Sequence, residues 1–375
     1  MVQVPLIGPL IGAAVPVRPG TVAPAALEAA SPLARAALAD APADRRFIRA
    51  VMIDLAGRTP LPDEWGRAFG RPRADWVREL AQGLSAAESF FEEELFYFLL
   101  IDNFRPSTDA FLEVPRLLAD RSLSVKELLR QLVSSQFFNS RNPGTDTFVT
   151  VVLEQLLGFT VQKEPTILEA GKRMYDGYTA SFLGSKGANQ ADLVRIAVEH
   201  ENLEPFFLAR RFAAIFVDDA PKKRVAADAA RLRADPLAWP AIAADWILSQ
   251  AYDERLASAR PKSDRVFVRS LYADLHERVP DYQEFRRCRN ALLALSDSRP
   301  LRSVLIKLML DAGGADRLLA AHAEPAALVR ACYLRFLARE PTQPEGAAFA
   351  RELTQGAERK LVVRALLTHA EYQGY

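Results

Sequence analysis

A block of eighteen residues occurs three times in this chain of 375 residues, starting at Phe47, Phe267 and Leu328. The copies align without gaps, and each has arginine at its third and twelfth places, proline at its fourteenth and glutamate at its last. These residues are Arg49, Arg58, Pro60 and Glu64, then Arg269, Arg278, Pro280 and Glu284, then Arg330, Arg339, Pro341 and Glu345. Such repetition predicts a modular helical architecture, and modules of this kind more often present surfaces than perform chemistry.

Each copy is typical of a helix, a tight turn and a second helix. In the first copy Phe47, Val51 and Leu55 recur at helical spacing, so they form one apolar stripe. Asp44 is the expected N-cap, and Gly57 is expected to end the helix in the left-handed conformation. The following proline prevents the helix from continuing. Asp264 is the expected cap of the second copy, and the third opens at Pro325.

Alternation with period two is almost absent, so no substantial sheet is expected. The sequence predicts an all-α fold, a multi-helix bundle or repeat architecture built from three helix–turn–helix modules. The predicted divisions are an apolar, proline-rich N-terminal arm and lead-in, a first helical module, a central helical domain, a second repeat module and a third repeat module. Their ranges are 1–43, 44–138, 139–260, 261–322 and 323–375.

A second phrase closes several helices: an apolar helix end, a small hydroxyl residue and then an aromatic. It reads LVSSQFF around Ser134, ILSQAY around Ser249 and LLTHAEY around Thr368. A hydroxyl can cap or turn the chain there, and the aromatic can pack back on the preceding helix.

Composition excludes several function classes. Lys plus Arg is 48 and Asp plus Glu is 47, so the net charge of +1 provides no global attraction to nucleic acid. No uncharged apolar run reaches the about eighteen residues that a bilayer span needs. Two cysteines cannot build a disulfide framework, and Cys332 lies on an apolar stripe, which favours a buried free thiol. No CxxCH occurs, so no covalent haem is expected. No metal or other cofactor is expected either, because no complete ligand motif is present.

The N-terminal arm combines apolar side chains with the prolines Pro5 and Pro9, which favour an extended chain. Its apolar residues are Val2, Val4, Leu6, Ile7, Leu10 and Ile11. They are expected to dock either on the protein's own body or in a partner's groove, because an extended segment cannot bury them against itself. The partner is favoured, since arms at chain termini are mobile unless tied down. The first positive charge is Arg18, which does not match the basic start of a signal peptide, so a cytoplasmic location is favoured.

Three segments contain residue types found in catalytic sites. HENLE, from His200, has one histidine of the zinc-binding H-E-x-x-H pattern, but Glu204 replaces the second and Pro205 disfavours helical angles before it. A polar helix end is the favoured interpretation. Glu92, Glu93 and Glu94 point in different directions on a helix, so a solvated acidic face is expected. GSKG, from Gly184, lacks the P-loop spacing and indicates a flexible loop.

The repeated arginines have a structural interpretation. Asp54 and Arg58, and equally Asp274 and Arg278, are four residues apart with the acid first, which favours a helical ion pair. The third copy replaces this pattern with Arg335 and Arg339, so its more basic helix end is expected to face a different neighbour.

Two of these stretches resemble known families. FIRAVMIDLAGRTPLPDEW, from Phe47, resembles the opening helix of the uncharacterised helical domain of planctomycete cytochrome-associated proteins. Residues 200–262 resemble the C-terminal part of another widespread, uncharacterised bacterial helical family, and the two C-terminal blocks are similar to phycobilisome linker domains. The resemblance implies a helical fold, supplies no catalytic role and implies export.

Together, these features predict a non-enzymatic scaffold or interaction subunit of a larger assembly, with other protein subunits as partners. Two alternatives stay open at this point. One is a metal-dependent hydrolase centred on His200, and the other is a cell-envelope protein that binds polysaccharide.

Overall fold

The computed structural model describes residues 43–101, 109–216 and 218–375. These residues are mostly helical and contain one two-stranded sheet, so the predicted all-α class is confirmed. None of the helices in this part of the chain has both the length and the hydropathy to cross a bilayer. The repeat blocks and the central region belong to different compact units, which we describe separately.

Unit 1 contains residues 43–76 and 253–375, and unit 2 contains residues 77–252. The predicted first module, 44–138, is therefore divided at Trp76, and its beginning belongs to the same unit as the second and third modules. A direct contact accounts for this grouping. The Thr59 amide donates to Ser270 Oγ at 3.2 Å, and Thr59 Oγ1 donates to the Ser270 carbonyl at 3.3 Å, with both residues fully buried.

The helices of the first part of the chain are α1 (Arg45–Ala56), α2 (Pro62–Ala68), α3 (Arg73–Gln82), α4 (Leu84–Leu99), α5 (Asp109–Leu112), α6 (Val114–Ala119), α7 (Val125–Ser134), α8 (Gln136–Arg141) and α9 (Thr145–Val151). Helix α9 continues as a π-helical turn, Val152–Leu156, and a 3₁₀ turn covers Val161–Lys163. Then follow α10 (Pro165–Tyr175), β1 (Ala180–Phe182), β2 (Ser185–Gly187), α11 (Gln190–Val198), α12 (Leu203–Phe216), α13 (Lys222–Ala234), α14 (Trp239–Ile247) and α15 (Gln250–Arg255).

The remaining helices all belong to unit 1. They are α16 (Asp264–His276), α17 (Tyr282–Leu292), α18 (Arg299–Asp311), α19 (Asp316–Ala321), α20 (Pro325–Phe336), α21 (Gln343–Thr354), α22 (Arg359–Thr368) and α23 (Ala370–Gln373). The three copies of the block are the helical pairs α1–α2, α16–α17 and α20–α21.

The caps of these pairs largely follow the sequence. Asp44 accepts a hydrogen bond from the Phe47 amide at 2.8 Å, as expected of an N-cap. Asp264 is not the cap of α16, contrary to the prediction. Ser263 occupies that position and accepts from the Val266 amide, because a serine hydroxyl caps as well as a carboxylate. Asp264 is thereby free to accept from Arg302.

The first helix of each pair ends on a left-handed residue at the same place in the block. Gly57 has φ 67°, Glu277 has φ 59° and Ala338 has φ 56°. This conformation turns the chain into an extended link that contains the repeated proline. Glycine adopts it without strain, so Gly57 is favoured where glutamate and alanine are strained.

The core around the second and third pairs is continuous. Phe267, Val268 and Leu271 of α16 are fully buried with Leu328 and Cys332 of α20. Cys332 is a free thiol, as predicted. The closing aromatics also pack inward as expected, since Phe138, Tyr252 and Tyr372 each have 0% exposure.

Candidate functional site

The same ion-pair clamp closes all three helical pairs. Arg58 donates through Nη1 and Nη2 to the two carboxylate oxygens of Glu64 at 2.6 and 2.7 Å. Arg278 binds Glu284 at 2.6 and 2.5 Å, and Arg339 binds Glu345 at 2.9 and 2.9 Å. In each copy the glutamate also accepts the amide that precedes its helix. The repeated arginine and glutamate therefore fix the turn between two helices.

The clamp replaces the pairs that helical spacing predicts. Arg58 and Arg278 bind the glutamates six residues later, and neither forms the expected pair with Asp54 or Asp274. The prediction fails because helix α1 ends at Ala56 and α16 at His276. An arginine beyond the left-handed turn no longer lies one helical turn from the preceding acid.

The other repeated arginine has diverged among the copies. Arg49 is 5% exposed and donates to the Tyr372 carbonyl at 3.4 Å. Arg269 lies over the Phe285 ring at 5.1 Å, whereas Arg330 is exposed and pairs with Glu340. One repeated position therefore serves three different environments, and no common site joins these residues.

The basic end of α20 faces the acidic end of α16. Arg335 donates to Glu277 Oε1 at 2.9 Å and to the Ala273 carbonyl at 3.2 Å. This contact identifies the different neighbour expected for the third copy. It also binds the strained residue Glu277, whose carboxyl pKa is lowered by the hydrogen bond from Arg335 against the effect of burial.

A buried polar cluster surrounds Tyr372. Lys262 is 2% exposed, and its Nζ donates to the Tyr372 carbonyl at 2.6 Å and lies 3.7 Å from the centre of the Tyr372 ring. The Tyr372 hydroxyl donates to Asp274 Oδ2 at 2.8 Å. Burial lowers the pKa of Lys262 well below its usual value, and the neighbouring charge of Arg49 lowers it further. Burial raises the pKa of Asp274. Sequence reasoning missed this cluster, because Tyr372 is separated from Lys262, Asp274 and Arg49 by 110, 98 and 323 residues of chain.

In unit 2, His200 and Glu204 belong to different elements. His200 follows the end of α11, as the polar helix end predicts, and its Nδ1 accepts from the Asn202 amide at 3.2 Å. Glu204 lies in the first turn of α12 and accepts from Arg233 at 3.1 Å. Partial burial lowers the pKa of His200. Among the described residues, no group of three or more His, Cys, Asp or Glu side chains could hold a metal ion.

The acidic run on α4 is not the solvated face that the sequence predicts. Glu92 and Glu94 are 4% and 0% exposed. Glu94 accepts from Arg210 at 2.5 Å, and Arg211 pairs with Glu93. The arginines of α12 supply the compensating charge, which allows carboxylates to be buried. This arrangement is an ion-pair network between two helices.

The GSKG segment belongs to a β-hairpin, so the flexible loop that the sequence predicts there is wrong. Strands β1 and β2 pair antiparallel, with Phe182 opposite Ser185. Leu183 and Gly184 between them both have positive φ, the geometry of a tight hairpin turn.

Exposed apolar side chains are unevenly distributed in unit 1. In residues 253–375, five large hydrophobic residues are exposed, and all of them lie within the second module, 261–322. They are Val279, Leu293, Leu295, Val304 and Leu308, with exposures of 43, 55, 50, 53 and 58%. The third module has none in this class among its residues. Val304 and Leu308 are one turn apart, so they share a face of α18.

Two exposed arginines of α17 add positive charge to the same module. Arg286 and Arg287 have no ion-pair partner among the described residues. The arm residues Val2, Val4, Leu6, Ile7, Leu10 and Ile11 lie outside the described residues.

A scan against protein-family models and searches of curated proteins and of solved structures each returned no match to this chain. The family resemblances of the repeated blocks stay predictions.

Proposed function

We propose that this protein is a non-enzymatic scaffold or interaction subunit of a larger assembly. It docks through the surface of its helical repeats and through the apolar arm at residues 1–24. The observation that carries the proposal is that five of the six large hydrophobic residues exposed in the described part of unit 1 lie in the second module. Val304 and Leu308 are one turn apart on α18, so their exposed side chains form one apolar face that a partner can contact.

The net charge of the second module indicates which charges its partner surface should carry. Residues 261–322 contain eleven Lys or Arg and eight Asp or Glu, a difference of three positive charges. Arg286 and Arg287 are exposed without acidic partners among the described residues. The complementary surface therefore presents apolar side chains among acidic ones, because like charges across an interface are costly.

Leu308→Asp tests the proposal directly, with Tyr178→Asp as the matched control. Leu308 is 58% exposed and Tyr178 is 63% exposed, so each change places one charge on an exposed apolar site of its own unit. Native mass spectrometry of tagged protein isolated from its source measures the fraction held in a complex. We expect Leu308→Asp to lower that fraction at least about tenfold, which corresponds to about 1.4 kcal/mol, while Tyr178→Asp leaves it unchanged.

Equal retention of both variants in the complex, or wild-type protein recovered only alone, contradicts the docking proposal. Stoichiometric zinc or iron in the purified protein, lost in His200→Ala, favours the hydrolase alternative instead.

A further inference from the structure

Unit 1 contains a cavity of about 440 Å³ that none of the features above explains. Its walls come from the segment before α16, the first turns of α18, the end of α22 and helix α23. Four basic residues line it, and no aspartate or glutamate is among the lining residues. The basic residues are Arg260, Lys262, Arg299 and Arg302.

Two of these basic side chains are buried inside the protein. Lys262 is 2% exposed and Arg302 is 6% exposed. Arg302 donates to Asp264 through Nε and Nη2, to the Lys262 carbonyl through Nη2 at 2.7 Å, and to Gln373 Oε1 through Nη1 at 3.1 Å. Because a guanidinium has five N–H groups, these four bonds leave one Nη1 hydrogen without a partner among the described residues.

The carboxylates that pair with these basic side chains are not among the lining residues. Asp264 binds Arg302 at 2.7 Å and Asp297 binds Arg299 at 2.9 Å. Asp54 is 3.5 Å from Arg260 and also pairs with Arg255 at 3.1 Å. The lining therefore carries basic groups and no acidic ones, and the Arg299 side chain is 83% exposed, so it can reach a ligand from solvent.

The polar groups of α18 favour a negative ligand as well. Helix α18 has thirteen residues, and its first turns contribute Arg299, Arg302 and Ser303 to the lining. The positive end of the helix dipole therefore faces this region. The Ser303 hydroxyl makes no hydrogen bond to any described residue, so it is available to donate to a ligand.

We propose that this cavity binds the oxyanion of a small organic molecule, a carboxylate or a phosphate, through Arg302, Arg299 and Ser303. The volume lies in the range of small-molecule sites, which is about 300–1,000 Å³. A guanidinium fork matches both kinds of oxyanion, so the two share one recognition chemistry. Lys262 also lines the cavity, and its Nζ donates to the Tyr372 carbonyl, which fixes the position of Tyr372.

The test is isothermal titration of the full chain in a buffer free of oxyanions, with inorganic phosphate in one arm and citrate in the other. Sodium chloride at matched ionic strength measures the effect of salt alone. We expect saturable binding of one equivalent of phosphate or citrate. Arg299→Ala should raise the Kd about tenfold and Ser303→Ala about fivefold, since each removes one donor to the anion. The preferred anion identifies the carboxylate or phosphate source.

Arg286→Ala is the control, because Arg286 is an exposed arginine of α17 that does not line the cavity. It should change the Kd less than about twofold. Absence of saturable binding of either anion overturns the proposal. An equal rise of the Kd in Arg286→Ala and Arg299→Ala also overturns it, because the loss of affinity then follows from the overall charge of the protein. The docking proposal is tested separately, since Leu308→Asp should bind the anion as wild type does.

Discussion

At the scale of single residues, the clamp shows why the repeat is recognisable. Arg339 and Glu345 are six residues apart, and the carboxylate accepts from the guanidinium, the Thr342 amide and the Thr342 hydroxyl. A turn with so many bonds to one side chain tolerates few substitutes for glutamate. The structure of the turn is therefore enough to explain the repetition.

Glu345→Gln should weaken the clamp. It should also make the free energy of unfolding depend less on pH between pH 7 and pH 2. The hydrogen bonds from Arg339, which outweigh burial, lower the pKa of Glu345 from 4.5 to about 2. Because the pKa is lower in the folded state, this carboxylate stabilises the protein above pH 4.5 and loses that effect as the pH falls towards 2. At pH 7 we expect a loss of about 1.5–3 kcal/mol, the value of a charged hydrogen bond.

Urea unfolding from pH 7 to pH 2 measures this effect. The variant and wild type should differ most at neutral pH and converge at pH 2. Glu340→Gln is the control, because Glu340 forms an exposed pair with Arg330 and should cost less than about 1 kcal/mol. A constant difference across the pH range would show that charge is not responsible.

At the scale of elements, the left-handed residue shared by the three helical pairs explains the repeated sequence together with the arginine–glutamate clamp. Each helix ends where one residue adopts positive φ, and the extended link with proline follows. The sequence identifies this position clearly only in the first copy, because glycine is the usual residue there. The equivalence of Glu277 and Ala338 follows from the gap-free alignment and is evident only from their dihedral angles.

The same substitution should have opposite effects at two glycines. Gly57→Ala should destabilise the protein by about 1 kcal/mol, because φ of 67° strains any residue with a Cβ. Gly346→Ala should stabilise it by about 0.5–1 kcal/mol, since Gly346 lies inside α21 and a Cβ there meets only Pro341 at 3.7 Å. Chemical denaturation of both variants checks the prediction, and a shared sign would contradict it.

At the scale of the whole molecule, residues far apart in the chain determine the architecture. The first block folds with the last two in unit 1, and the central region forms unit 2 with its own ion-pair network. The N-terminal arm is the segment whose sequence predicts an intermolecular role. Because prolines disfavour a continuous helix, we expect its apolar side chains to need another surface.

Deletion of residues 1–24 should leave the melting temperature nearly unchanged and weaken assembly. Burial of four or five aliphatic side chains on a partner contributes about 1.5–3 kcal/mol each before ordering costs. Thermal denaturation and native mass spectrometry of the complex measure the two effects. A much lower melting temperature with assembly intact would show that the arm packs on its own protein.

The sequence by itself determined the features that depend on neighbours along the chain. The helices, the stripes of Phe47 and Phe267, the cap at Asp44 and the turn at Gly57 all follow from local propensity and periodicity. The sequence gives a weak indication of the basic cavity at Arg302. This arginine occupies a position on the buried stripe of α18, where an apolar residue is usual.

Only the tertiary structure decided which polar residues are buried and what they bind. Lys262 donates a hydrogen bond to Tyr372, which lies 110 residues away in the chain, and Glu94 accepts one from Arg210, which lies 116 residues away. Burial of a charge costs several kcal/mol unless an oppositely charged or hydrogen-bonding group pairs with it. That group can belong to any part of the chain. Helical spacing cannot encode such pairs, so the cavity lined by Arg302 and the division into two units could not be predicted from the sequence alone.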